Sequence, residues 1–265
     1  MDELPISPAG KCTRMGFKFG DNGPHISRTM MLEDISRCLD VLPIDAKRPD
    51  YQTAIVGQNI LGKNTEATRK ESFRRLRELY GLDSALPLFS LYRQLDVLDR
   101  SARPLLSLLM ACVRDPLLRA TMPVIIGAKE GETMGAEHFN AALTKAFPGH
   151  LKEKIRAATA RHIASTWEQS GHLNGRATKT RARVNVRPSA LVMALILGGV
   201  QDIHGAALFG TQWCQILDIN AVQARGLASQ AHREGLLDLR AIGDVVEVSF
   251  PRFAETLSAG GDHGA

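Results

Sequence analysis

The sequence predicts a mainly α protein: a helical N-terminal domain followed by two winged-helix-like units, each of three helices plus a β-hairpin. Three observations lead there. Apolar residues recur at three- and four-residue spacing from Ser27 to Gln169, the mark of amphipathic helices on a core. Beyond Gln169 the period drops to two, with Ala182, Val184 and Val186 alternating against Arg181, Arg183 and Asn185 as in a half-buried strand. The same order of elements then returns. Ala164, Ser165, Gly171 and Leu173 find counterparts in Ala228, Ser229, Gly235 and Leu237 at a constant offset of 64, which points to an internal duplication.

Residues 1–26 hold Pro5, Pro8, Gly10, Gly16, Gly20, Gly23 and Pro24 with no sustained period, and read as an irregular arm. The helical domain spans 27–115. Met31, Ile35, Cys38, Leu39 and Leu42 mark its first helix, which Pro43 stops. A second helix runs from about 50 to 61, with Tyr51, Ala54, Ile55 and Ile60 on its apolar side, until Gly62 breaks it. The segment from Asn64 to Gly81 is the best marked, with Asn64 or Thr65 to cap it and Gly81 where a left-handed C-cap falls. Its stripe of Phe73, Leu76 and Tyr80 lies beside cations Lys70, Arg74 and Arg77 at i, i+4 and i+7, with Arg69 and Arg75 nearby. Short helix, tight turn and basic helix together resemble a helix-turn-helix. Helices at 84–98 and 101–114 carry Pro87 and Pro104 near their starts.

The first winged-helix-like unit spans 116–187, with helices at 116–126, 136–146 and 150–169 and a hairpin turning at Asn174-Gly175. The second, 188–258, has helices near 189–198, 205–216 and 220–234. In its hairpin Leu237 and Leu239 pair with Val246, Val248 and Phe250 across Gly243. Residues 259–265 read as a flexible tail.

Composition excludes several classes. At 265 residues, 44% apolar and 23% charged, the chain is globular rather than disordered or fibrous. Its longest apolar run, Ala190 to Val200, is too short to cross a membrane, and residues 1–20 lack the apolar stretch of a signal peptide, so a soluble cytoplasmic protein with no membrane partner is expected. Cys12, Cys38, Cys112 and Cys214 have neither disulfide-framework nor zinc-site spacing. His150, His162 and His172 stand too far apart to be adjacent ligands on one helix. Gly57 to Asn64 comes within one residue of a phosphate-binding loop, but Asn64 replaces the magnesium-binding hydroxyl and the segment before it reads as helix, not strand. No catalytic residue, metal or cofactor is expected, and the chain reads as a non-enzyme.

The net charge of +5 is unevenly placed: from Asp202 onward it is −4, which leaves +9 in front. Between Gln169 and Gln201 there is no acid, while the first hairpin carries Arg176, Lys179, Arg181, Arg183 and Arg187. The second hairpin sets Asp238, Asp244 and Glu247 against Arg240. A phosphate backbone is drawn to the former and repelled by the latter, so the first hairpin is the expected contact and the second packs on the chain or a partner. No aromatic platform of the kind single strands stack on falls between Gln169 and Gln201, which favours duplex DNA as partner.

Two stretches resemble the BrxA-like proteins of bacterial phage-exclusion (BREX) systems. They are Ala54 to Lys63 (AIVGQNILGK) leading into Thr65 to Lys70 (TEATRK), and Ser165 to Leu173 (STWEQSGHL) before the basic hairpin. The resemblance covers roughly 27–188, and the second hairpin unit lies beyond it. It implies a small, mostly helical, winged-helix-containing, non-catalytic protein that binds DNA as an accessory subunit beside other subunits of a phage-defence complex. Carried over by residue, it implicates Arg69, Lys70 and Arg74 on the basic helix, and Gln169, Ser170, His172, Lys179 and Arg181 at the wing. The charge pattern adds Arg77, Arg176 and Arg183. Two other roles fit the same pattern: an assembly adaptor docking on an acidic protein, and an RNA-binding, antitermination-like regulator. Trp167 reads as a core anchor under the wing.

Overall fold

Helix α11 (Pro188–Val200) is the apolar run that stood out in the sequence, and it lies at the centre of the molecule. Leu191 to Leu197 have no polar side, so every face must be covered. It packs on α1 (Gly10–Met15), α5 (Pro87–Leu98), α6 (Arg103–Arg114), α12 (Gln212–Gln215) and α13 (Ala221–Arg233). One buried cluster therefore runs from Cys12 to Phe253. The structure is a computed structural model that describes residues 10–175, 178–242 and 245–258. It is mainly helical, and its described strands form two small two-stranded sheets. Arg176, the Gly243 turn, the 259–265 tail and the first nine residues of the predicted arm lie outside the described residues.

The rest of the arm is not irregular. Helix α1 and a 3-10 turn at Pro24–Ile26 form in it, because Cys12, Met15 and Phe17 find apolar cover on the core. Helix α2 (Leu32–Val41) follows. The predicted helix over 50–61 is shorter: α3 (Arg48–Gln52) widens into a π turn at Thr53–Gly57, and the chain reverses through left-handed Asn59 (φ 56) and Gly62 (φ 65). Helix α4 (Glu66–Tyr80) has the predicted ends. Thr65 Oγ1 accepts from Thr68 N at 3.2 Å, and Gly81 takes φ 92.

The helix expected over 116–126 breaks into α7 (Pro116–Arg119) and α8 (Met122–Gly127). Pro123 lacks an N–H to continue the ladder, and the Thr121 hydroxyl donates to the Leu118 carbonyl at 2.7 Å. Helices α9 (Ala136–Ala146) and α10 (Glu153–Gln169) then pack side by side. Strands β1 (Leu173–Asn174) and β2 (Thr180–Arg181) make the first hairpin. Strand β2 is paired on both sides, because Thr133 bridges Thr180, Gly131 N donates to Arg181 O, and Arg181 N donates to Glu132 O.

The alternation over 182–186 is real in burial but forms no ladder. Val184 N donates to the Asp218 carboxylate at 3.0 Å, so this segment crosses to the second unit instead of extending β2. In that unit the helix predicted over 205–216 is a 3-10 turn (Gly205–Gly210) and the short α12, divided where Thr211 caps the latter. Strands β3 (Asp238–Ile242) and β4 (Val245–Ser249) pair with Leu239 opposite Val248, and α14 (Ala254–Ser258) ends the described chain.

Candidate nucleic-acid interface

The expected basic hairpin is not a cationic ribbon. Arg181 is 5% exposed, and its guanidinium turns inward onto Asp218, with Nη1 to Oδ2 at 3.1 Å. Lys179 pairs with Glu168, Arg183 with Glu130 at 3.4 Å, and Arg187 with Asp99 at 3.0 Å. Carboxylates from four separate places pair with the four described cations of a stretch that has no acid of its own. Arg181 has no path to a phosphate, the Lys179 ammonium is largely covered against Glu168, and at the exposed Arg183 the neighbouring Glu130 brings the local net charge to zero.

The residues before the hairpin are interior too. Gln169 Oε1 accepts from Leu32 N at 3.1 Å. Ser170 and His172 are buried: His172 Nε2–H donates to the Ile216 carbonyl (2.7 Å), which leaves Nδ1 to accept from the Ser170 hydroxyl (2.8 Å). Burial pushes the imidazole down to about 4, so it is neutral in the fold. These three side chains, expected at a DNA surface, instead tie the first hairpin to α2 and the second unit. Trp167 is the expected anchor: fully buried, with Nε1–H donating to Thr121 Oγ1 at 3.1 Å.

The α4 cations also have partners. Lys70 meets Glu66 at 2.7 Å, and Arg74 and Arg75 share Glu71 and Glu78. The hydrogen bond from Arg74 leads the forces that hold Glu71 down, to about 2. Arg77 lies 6.0 Å over the Phe73 ring, and Arg69 is half-buried with Nε unpartnered. Of this set only Arg77 is exposed with no carboxylate on it.

Unpaired cations instead gather on α10. Ala160, Ile163, Ala164 and Trp167 face the core, which turns Lys154, Ala158, Arg161 and Ser165 outward at i, i+4, i+7 and i+11. Lys154 and Arg161 are exposed, as are Lys152 before the helix and Lys145 at the end of α9, and none of the four is in a described ion pair. Ala158 and Ser165 between them keep the face low, so a flat or grooved partner can approach the backbone. This face was missed in the sequence, because Lys154 and Arg161 at i and i+7 mark an outward face only once the core side of α10 is known.

Asp115, His25 and Thr166 form a relay with the order of a catalytic triad: Nδ1–H to Asp115 Oδ2 at 2.7 Å, and Nε2 to Thr166 Oγ1 at 2.8 Å. All three are fully buried, and Thr166 Oγ1 already accepts from Met30 N at 2.8 Å. No reactant reaches this hydroxyl, and the relay serves to fasten the N-terminal segment to α7 and α10. The near-phosphate-loop is likewise occupied by its own chain, with Lys63 Nζ on Asp34 Oδ1 at 2.8 Å. No cluster of three or more His, Cys, Asp or Glu able to hold a metal exists among the described residues, and no helix among them is long and apolar enough to cross a membrane.

No protein-family model matches this chain, and no curated protein matches it.

Proposed function

We propose that this chain is a non-catalytic, largely sequence-tolerant subunit that binds double-stranded DNA through α10, working in the cytoplasm beside other subunits of a phage-defence assembly. The observation that carries the reading is the face of α10, where Lys154 and Arg161 stand exposed without carboxylate partners among the described residues, while the four described hairpin cations are each paired. At i and i+7 the two are about 10 Å apart along the axis, a spacing suited to phosphates rather than to one base pair.

The order of elements supports the same assignment. Helix α8, the Thr133 bridge, α9, α10 and the β1–β2 hairpin follow the winged-helix sequence, in which the third helix is the one presented to a groove. The resemblance to BrxA-like proteins supports the defence context and the pairing with larger subunits. Fluorescence anisotropy with a labelled duplex over a salt series tests the reading. For about four phosphate contacts, log affinity falls against log salt with a slope of roughly −3 to −4. No binding at about 50 mM salt, or stronger binding of a structured RNA than of the duplex, would overturn it.

A further inference from the structure

A cavity of about 290 Å³ opens in the helical domain, between the C-terminal end of α4, the start of α3, the end of α6 and the N-terminal segment. It is lined by Lys18, Arg48, Arg77 and Arg114, with Glu78 and Asp83 the acids on its wall. The acids do not balance the bases. Glu78 turns its carboxylate away onto Arg74 and Arg75, and Asp83 reaches Arg48 at 3.5 Å. Lys18, Arg77 and Arg114 have no carboxylate partner among the described residues.

Arg114 and Lys18 are partly accounted for as caps of the α4 C-terminus. Arg114 donates to the carbonyls of Glu78 (3.1 Å), Gly16 (3.0 Å) and Arg77 (3.5 Å), and Lys18 Nζ to Glu78 O at 3.1 Å. A helix end carries only about half a negative charge, too little to offset three cations. Donors remain as well. An ammonium has three N–H groups and Lys18 uses one on a described partner, while the Arg77 guanidinium has no described hydrogen bond. Burial, then the neighbouring Arg114 charge, lowers Lys18, and burial brings Arg114 to about 10. Both shifts show that these cations are held away from water, and Lys18 also feels its cationic neighbour.

We propose that this cavity binds a compact phosphate-bearing anion: inorganic phosphate or diphosphate, free or at the end of a larger small molecule. Lys18, Arg48 and Arg77 donate to its oxygens, and Arg114 supplies buried charge. Leu86 is the apolar side chain on the wall, with no aromatic ring beside it, so a nucleoside attached to the phosphates gains no stacking surface.

Isothermal titration of the full chain with pyrophosphate tests this. Saturable binding below about 1 mM is expected, with about tenfold or greater weakening in Arg77→Ala and in Lys18→Met. Arg77 is exposed and free of ion pairs, so its variant folds even if the Lys18 variant does not. The Lys154→Ala/Arg161→Ala variant should bind pyrophosphate as the parent does, which separates this site from the α10 reading. ADP should bind within a few-fold of pyrophosphate. The proposal is overturned by no saturable heat, by unchanged affinity in Arg77→Ala, by ADP binding over about a hundredfold tighter, or by displacement of pyrophosphate by micromolar duplex.

Discussion

Replacing Asp218 with asparagine keeps the shape and the left-handed backbone of that residue (φ 60), which short polar side chains tolerate, and removes only its charge. The Arg181 guanidinium then sits with 4% of its side chain exposed and no counter-charge, beside a neutral His172. Breaking one side of a buried pair costs about 3–5 kcal/mol, because the remaining charge stays desolvated. In a chain of this size that amounts to a fall in Tm of about 10 °C. Asn keeps an acceptor for Val184 N, so the loss reports on the arginine and not on the crossing strand. The assay is thermal unfolding followed by circular dichroism, with Arg181→Met/Asp218→Asn alongside, which keeps the left-handed residue and the acceptor for Val184 N. That double variant removes both charges and should regain much of the loss. If Asp218→Asn melts within about 2 °C of the parent, Arg181 reaches water and the basic-hairpin reading returns.

Three other outcomes follow from the interior. His172 is depressed in the fold relative to the unfolded chain, so its stability contribution is fully present above about pH 6.5 and is lost as pH falls toward 4; Tm should drop over that window, less so in His172→Gln. Trp167→Ala should cost about 3–5 kcal/mol by chemical denaturation, from a fully buried indole and its bond to Thr121. Gly23→Ala places a methyl 1.9 Å from Asp115 Oδ1, and should lower Tm by displacing the carboxylate from His25.

Local chemistry made much of the fold legible. The Thr65 cap and Gly81 terminus of α4 act within one turn of chain, and the unbroken apolar run of α11 admits no arrangement but burial. The hairpin misled because charge compensation is a tertiary property. Arg181 finds Asp218 at a separation of 37 residues, and Arg187 finds Asp99 at 88, so an acid-free window does not make an acid-free surface. The alternation at 182–186 misled for a related reason: it records which side chains are covered, and the cover comes from the second unit instead of a neighbouring strand. On α10 the exposed stripe was readable only after Trp167 and Ile163 had fixed which face points inward.

The most direct test compares two double variants against the same labelled duplex at one moderate salt concentration. Lys154→Ala/Arg161→Ala should weaken binding by about tenfold or more and flatten the salt slope by about two, while Lys179→Ala/Arg183→Ala should stay within about threefold of the parent. The reverse pattern, with the hairpin variant losing affinity and the α10 variant binding as the parent does, would contradict the account.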